Sequence, residues 1–322
     1  MPQLSFLNLV PRRDIDTPKD ALQTMVDLAK HTEALGYTRY WIAEHHNMPY
    51  LLSSATQVLV GHTLAQTTRI RVGSGGVMLP NHTPLLVAEQ YGTLATLYPD
   101  RVDLGLGRAP GTDRLTAQAL RRDMGAADNF ADEIEQLQQY FADSKDAIEA
   151  VPARGIHVPL YVLGSSTASA YVAAALGLPY VFAAHFAPRF LPQALAIYRE
   201  KFRPSLVCPK PYVMVALNAT LADTDEEALY LANSRRNFAV NILRNTPKPL
   251  APPDEKFMIR PEEAQALEAM LSCSLIGSVA SATAQFAKLQ HVVQADEIIA
   301  TGYVYDTKAQ MTSLTLLQQV IH

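Results

Sequence analysis

The chain has 322 residues, of which 48% are hydrophobic and 18% are charged, and its formal net charge is −4. This length suits either two ordinary domains or one α/β barrel with insertions, because such barrels need about 250 residues. The mildly acidic balance, without any long run of Lys or Arg, excludes electrostatic binding to nucleic acid or to a membrane surface. Since only two cysteines occur and neither a signal peptide nor a long apolar run is visible, we expect a cytoplasmic globular protein.

Short apolar runs of strand character alternate with longer segments of helical period along the chain. Most of these runs are continuously apolar, which is typical of parallel strands that are covered on both faces. The predicted strands are 4–9, 37–43, 70–78, 102–106, 160–163, 180–183, 212–219 and 297–301. The alternation predicts an α/β fold, a (β/α)8 TIM barrel with insertions, as a single domain over 1–322.

The segments between the predicted strands carry helix signals and two long excursions. Thr17 before Pro18 is typical of an N-cap followed by a proline in the first helical turn. The stretches near 111–156 and 245–273 are longer than a crossover needs, and we interpret both as insertions. A helix is predicted within the first, at 127–142. The second is either a lid over the barrel or a plain surface excursion.

A Glu-His-His run, Glu44, His45 and His46, follows the second predicted strand. Polar residues at the carboxyl end of a barrel strand stand where catalytic groups are normally placed. Adjacent strand residues point to opposite faces, so the two histidines are not expected to share one site, and no metal site is predicted. From the residues alone, a catalytic histidine and a histidine bonded to a backbone carbonyl are equal alternatives.

Glycines interrupt the third predicted strand at Gly73, Gly75 and Gly76, beside Ser74. Glycine weakens a strand through lost conformational entropy, so another interaction must offset the cost. The pattern favours either the close approach of a flat ligand to bare backbone or a tight corner of the barrel.

Two further strand ends offer groups that suit a phosphate. Arg108 follows the fourth predicted strand in a glycine-flanked loop. Gly164, Ser165, Ser166 and Ser169 open a helix after the fifth, where free N–H groups and hydroxyls collect. The plain alternatives are a surface arginine and a serine N-cap. The signatures of serine hydrolases, P-loop phosphotransferases and zinc proteases do not occur in the sequence.

In order and spacing, these segments resemble the bacterial luciferase-like flavin monooxygenases over almost the whole chain. The matching runs are 41–46, 72–80, 101–112, 163–166 and 176–180. The sequence is most similar to the short luciferase-like oxidoreductases, rather than to the light-emitting subunits. Gly107 stands where luciferase has a reactive cysteine, a departure that bears on aldehyde-luciferase chemistry and not on flavin binding.

The resemblance implies that FMN binds at the carboxyl-terminal mouth of the barrel. It places His45 beside the flavin, as a catalytic residue that titrates near neutrality and hydrogen-bonds or moves a proton. It places Ser74, Gly75 and Gly76 beneath the isoalloxazine, often with a non-proline cis peptide, which here would be Gly75–Gly76. We therefore expect that a side chain at Gly76 would intrude on the flavin and damage binding more than folding.

The same resemblance assigns the flavin phosphate to Arg108 and to the loop of Gly164, Ser165, Ser166 and Ser169. It implies an oxidoreductase, a monooxygenase that uses reduced FMN and O₂ on a small organic, mainly hydrophobic substrate. Reduced FMN would come from a separate NAD(P)H:flavin reductase, and the chain would form a homodimer through helices beside the second and third strands. A deazaflavin (F420)-dependent hydride-transfer enzyme and a non-catalytic flavin-binding protein are the alternatives.

Overall fold

The strands of the protein are buried along their whole length where the sequence is continuously apolar. Every residue of β2 (Arg39–Ile42) and of β7 (Val213–Leu221) is buried. The computed structural model describes residues 1–109, 113–120, 129–144 and 147–322. The remaining strands are β1 (Gln3–Asn8), β3 (Arg71–Met78), β4 (Val102–Gly107), β5 (Leu160–Gly164), β6 (Tyr180–Phe182), β8 (Ser274–Gly277) and β9 (Glu297–Thr301).

Eight of these strands close into a parallel barrel. The pairing order is β1-β2-β3-β4-β5-β6-β7-β9, and β9 returns to pair with β1. Helices follow the strands around the outside, so the predicted (β/α)8 TIM barrel is confirmed. All eight predicted strands correspond to barrel strands. The register of β3 against β4 shifts between Ser74 and Val77, at the glycine run.

The first helix begins at the signal that the sequence carries. Thr17 caps the first helix: its hydroxyl accepts from the backbone N of Asp20 at 3.3 Å, and Asp20 accepts from the backbone N of Thr17 at 3.0 Å. No helix among the described residues combines the length and the apolar character that crossing a membrane requires. The helices are α1 (Pro18–Ala34), α2 (Thr56–Gln66), α3 (Pro84–Leu97), α4 (Arg114–Ala119), α5 (Phe130–Phe141), α6 (Thr167–Leu176), α7 (Leu191–Lys201), α8 (Asp225–Leu243), α9 (Pro261–Met270), α10 (Val279–Val293) and α11 (Thr307–Ile321).

The two predicted insertions contain helices, and a ninth strand follows the second one. The helix predicted at 127–142 is present as α5, whereas 110–112, 121–128 and 145–146 lie outside the described residues. The second insertion contains α9 and runs into β8, which the sequence analysis missed. β8 pairs with the last four residues of β7, of which only Asn218 also pairs with β9 in the barrel.

A buried ionic network occupies the amino-terminal half of the barrel. The Arg39 guanidinium pairs with Asp103 at 2.9 Å and with Glu297 at 2.8 Å, and Arg71 pairs with Asp103 at 2.6 Å. Arg39 also donates to the Tyr161 hydroxyl at 2.6 Å. Two cations thus balance two carboxylates whose side chains have no exposed surface. The side chains of this network fill the amino-terminal end of the barrel. The carboxyl-terminal end is left open for a site.

Candidate active site

A cavity of ≈ 520 Å³ opens at the carboxyl ends of the barrel strands. This is the end at which TIM-barrel enzymes carry their active sites. All but one of the predicted site residues line the cavity: His45, Gly75, Gly76, Arg108, Gly164, Ser165, Ser166 and Ser169. The fold thus brings together residues that follow four different strands.

Ser74 is the predicted site residue that does not line the cavity. It is fully buried, and its hydroxyl donates to the carbonyl of Gly105 at 2.9 Å and accepts from the N–H of Gly105 at 3.1 Å. These bonds hold β3 against β4 where the register shifts. We therefore assign Ser74 to strand pairing instead of to direct contact with a cofactor.

Gly75 and Gly76 present bare backbone to the cavity, and the peptide bond between them is cis, as the family resemblance implied. A Cβ on Gly76 would lie 2.7 Å from the carbonyl oxygen of Gly105 in β4. A Cβ on Gly75 would lie 2.6 Å from the side chain of Leu7. A Cβ on Gly76 would thus meet the barrel wall before it entered the flavin's space, and the expectation that binding suffers more than folding stays a prediction.

His45 lines the cavity as a neutral imidazole. Burial lowers its pKa from 6.5 to about 4, although the neighbouring Glu44 carboxylate acts in the opposite direction. The expectation that His45 titrates near neutrality is thus wrong. Its Nδ1 is buried and has no hydrogen-bond partner among the described residues. At pH 7 this neutral ring can donate or accept a hydrogen bond and accept a proton, but it lacks the imidazolium proton that a general acid gives.

His46 turns away from the cavity and hydrogen-bonds to Glu44. Its Nε2 lies 2.9 Å from Glu44 Oε1, and the Nε2 of His82 lies 2.8 Å from the same oxygen. Burial raises the pKa of Glu44, but these two hydrogen bonds outweigh it, so the pKa is lowered overall. Because β2 ends at Ile42, strand alternation is not what separates His45 from His46.

The sequence analysis predicted no metal site here, because adjacent histidines lack the geometry of metal ligands. The same three side chains contradict that argument. Glu44, His46 and His82 each bring one ligand atom to within 4.8 Å of the others. The sequence analysis considered only the adjacent histidines and missed His82, which lies 38 positions from Glu44. The cluster is compatible with a divalent cation, and its hydrogen bonds also satisfy Glu44 Oε1 without one.

A group of unpaired donors lies at one end of the cavity. Arg108 is exposed and pairs with no acidic side chain among the described residues. Ser166 is the N-cap of α6, yet its hydroxyl makes no capping bond. Ser169 donates to the carbonyl of Ser166 at 2.9 Å, and a Cβ on Gly164 would overlap its hydroxyl. The Arg108 guanidinium and the Ser166 hydroxyl, both without a side-chain partner among the described residues, and the N-terminus of α6 form a donor set that suits a phosphate.

Polar residues that the sequence analysis did not select line another part of the cavity. Arg235 lies on α8, Tyr303 follows β9 and His185 follows β6. Burial lowers the pKa of His185 to about 3, and the charges of Arg235 and His45 add to the effect. His185 and Tyr303 carried a signal, because each follows a predicted strand, whereas Arg235 shows only as one of two adjacent arginines within the long helix.

Comparison with known proteins gives the family. The family described as luciferase-like monooxygenase matches residues 1–295. A luciferase-like monooxygenase of Escherichia coli strain K12 is 44% identical over 322 residues, covering 98% of this chain and 96% of the relative. The crystal structure of apo-MsnO8 is 32% identical with a TM-score of 0.93, and the match covers 100% of this chain and 98% of that one.

More distant structures share the fold alone. The FMN complex of the oxygenating constituent of 3,6-diketocamphane monooxygenase from Pseudomonas putida is 15% identical (TM-score 0.74), and the match covers 100% of this chain and 98% of that one. An F420-dependent secondary alcohol dehydrogenase is 14% identical (TM-score 0.71), over 99% of this chain and 98% of the other. With the family match over most of its length and a close relative over nearly all of it, this chain belongs to the luciferase-like monooxygenase family.

Proposed function

We propose that the protein is an FMN-dependent monooxygenase that uses reduced FMN and O₂ on a small, mainly hydrophobic substrate. The observation that carries this proposal is one cavity with two features. Hydrogen-bond donors that suit a phosphate lie at one end, and bare glycine backbone forms part of the wall. A flat ring with a phosphate tail matches both features. Reduced FMN, when bound, would supply the electrons that activate O₂.

The residues of the chain would bind this cofactor through its two chemically different parts. Arg108 would pair with the phosphate, and Ser165, Ser166 and the first N–H groups of α6 would complete its hydrogen bonds. Gly75 and Gly76 line the cavity, so the flavin ring would lie against their backbone.

Side chains at the carboxyl-terminal end of the barrel would exclude water and take part in the reaction. Apolar side chains around the cavity, including Leu7, Leu9, Trp41 and Ile299, would exclude water, which otherwise favours the wasteful release of peroxide. His45, neutral and without a partner at Nδ1, would hydrogen-bond the reacting oxygen or accept its proton.

Titration of FMN against Arg108→Ala tests the proposal. Loss of a charge-assisted contact worth ~1.5–3 kcal/mol should weaken FMN binding by about ten- to a hundredfold. Arg69→Ala removes an exposed arginine just before β3, at the opposite end of the barrel, and should leave the affinity unchanged. Equal affinities in the wild type and Arg108→Ala would contradict the proposed phosphate site.

The main alternative is F420-dependent hydride transfer. Its support is the fold shared with an F420-dependent alcohol dehydrogenase. A parallel titration with F420 separates the two, since we expect FMN to bind more tightly. Oxygen uptake by the FMN-reduced enzyme then distinguishes a monooxygenase from a flavin-binding protein without activity.

We also propose that the protein acts as a homodimer and receives reduced FMN from a separate NAD(P)H:flavin reductase. The support for the dimer is a set of exposed apolar side chains on α2 and α3, namely Val58 at 69%, Leu86 at 53% and Leu97 at 64% exposure. Burial of these side chains against a second copy would remove apolar surface from water, which favours association. Light scattering of wild-type and Leu86→Glu protein tests the dimer. Stimulation of oxygen uptake by an added reductase tests the partner.

A further inference from the structure

Arg235 lines the cavity as a cation that no anion balances in the part of the chain that the structure describes. It projects from α8 and lines the cavity, and it forms no ion pair with any acidic side chain among the described residues. Its Nε is buried and makes no hydrogen bond in the described part of the chain. The guanidinium carbon stands 4.5 Å from the ring centroid of Tyr303. Burial of an unpaired charge is costly, so a ligand that supplies the anion would be bound favourably.

The groups around Arg235 are neutral donors. Tyr303 lines the cavity, and burial raises its pKa to about 12, so its hydroxyl keeps its proton at pH 7. His185 is uncharged, and its Nδ1 has no partner among the described residues. Asn218 donates to the backbone carbonyl of His185 at 2.7 Å and so fixes that residue in place. The net charge of this group is therefore that of Arg235 alone.

The rest of the cavity near Arg235 is apolar. Phe238 packs 5.5 Å from Tyr303, ring centre to ring centre, and Ile242, Met270 and Ile299 continue the wall. This part of the cavity lies over β7 and β9, whereas Arg108 and the start of α6 lie over β4 and β5. A ligand bound here would thus present one anionic end and an apolar body, in a different sector from the predicted phosphate site.

We propose that Arg235 binds the carboxylate of the substrate and that the substrate is a monoanionic carboxylic acid with an apolar chain. This inference rests on the proposed function, since the substrate shares the cavity with the flavin. A planar guanidinium matches the two oxygens of a carboxylate, and one cation matches one negative charge. The Tyr303 hydroxyl is positioned in the same group to donate to the carboxylate as well.

Binding of octanoate and of octan-1-ol to the full chain tests the proposal. Trp41 is the single tryptophan and lines the cavity, so its fluorescence reports binding with or without FMN. We expect wild-type protein to bind octanoate about tenfold or more tightly than octan-1-ol. Arg235→Met should lose about ten- to a hundredfold in octanoate affinity and bind octan-1-ol as before. Arg236→Met changes the adjacent, exposed arginine and should behave as the wild type.

Three outcomes would overturn the proposal. The first is that the wild type binds octanoate and octan-1-ol with equal affinity. The second is that folded Arg235→Met binds octanoate as the wild type does. A loss of FMN affinity in Arg235→Met as large as the loss for octanoate would assign the arginine to the flavin instead. Arg235→Lys keeps the charge, so it should retain a preference for octanoate even if the methionine variant does not fold. If the wild type fails to bind FMN, the proposed function fails, while the octanoate preference without FMN still decides the role of Arg235.

Discussion

The indole nitrogen of Trp41 donates to the Asp103 carboxylate at 3.1 Å and thereby joins the wall of the cavity to the ionic network below it. Asp103 also accepts from Arg39 and Arg71 and has no exposed surface. One carboxylate therefore fixes a cavity side chain and pairs with two cations. The position of Trp41 in the proposed flavin site depends on a charge that lies outside that site.

Removal of this charge should destabilise the protein. Asp103→Asn keeps the shape of the side chain but leaves the buried Arg39 and the partly buried Arg71 short of one negative charge, at a cost of ~3–5 kcal/mol of unfolding free energy. Asp143→Asn is the matched control, because Asp143 is 80% exposed and its pair with Arg154 should contribute less than ~1 kcal/mol. Urea unfolding followed by circular dichroism measures both. Similar losses in the two variants would contradict this role of the network.

Stability should fall as the pH is lowered below 6.5. The pKa of His45 is lowered to about 4 and that of His185 to about 3, so both rings bind fewer protons in the folded chain than in the unfolded one. The unfolding free energy therefore decreases as the pH falls from 6.5 towards the pKa values of the folded chain, by about 1.4 kcal/mol per pH unit for each histidine. His185→Gln should make the slope between pH 6 and pH 5 shallower by one such increment. His62→Gln, on the exposed side of α2, should leave the slope as in the wild type.

The sequence predicted the barrel because its strands carry an unambiguous pattern. Eight apolar runs, separated by segments of helical period, are enough to identify parallel strands that are covered on both faces. β8 was missed because Ser274–Gly277 contains only two large apolar residues, Leu275 and Ile276, and pairs outside the barrel. Most of the predicted cavity residues also stand at strand ends, where the barrel topology alone brings them together.

The rest of the site depends on contacts that no local pattern carries. His82 meets Glu44 only because the ends of β2 and β3 are neighbours in the barrel. Arg235 lies within a helix, where an arginine is ordinarily exposed. The neutral state of His45 follows from its burial, which sequence spacing does not specify. Long-range packing thus set the charge and the polarity of the site.

Gly76→Ala should destabilise the barrel. Its Cβ would lie 2.7 Å from the backbone oxygen of Gly105, so β3 and β4 must move apart. We expect a loss of ~1–3 kcal/mol in unfolding free energy together with weaker FMN binding. Gly107→Ala is the control: it also lines the cavity, but an added Cβ there meets only the Val77 carbonyl oxygen, at 3.8 Å. Thermal unfolding of the two variants decides, and equal stability would contradict the steric argument.

His45→Ala and His46→Ala should separate chemistry from structure. His45 lines the cavity and its Nδ1 has no partner among the described residues, so replacing it breaks no side-chain hydrogen bond found there and should leave FMN affinity within a few-fold of the wild type. Substrate oxygenation should fall by ~10²–10⁴, the usual cost of losing a positioned acid–base group, with more of the O₂ released as peroxide. His46→Ala removes one hydrogen bond from the buried Glu44 carboxylate and should cost ~1–3 kcal/mol of stability, with oxygenation largely retained. The readouts are the peroxide formed per reduced FMN consumed and the unfolding temperature of each variant. If His46→Ala lost oxygenation while His45→Ala kept it, the histidine that serves the reaction would be the one bonded to Glu44.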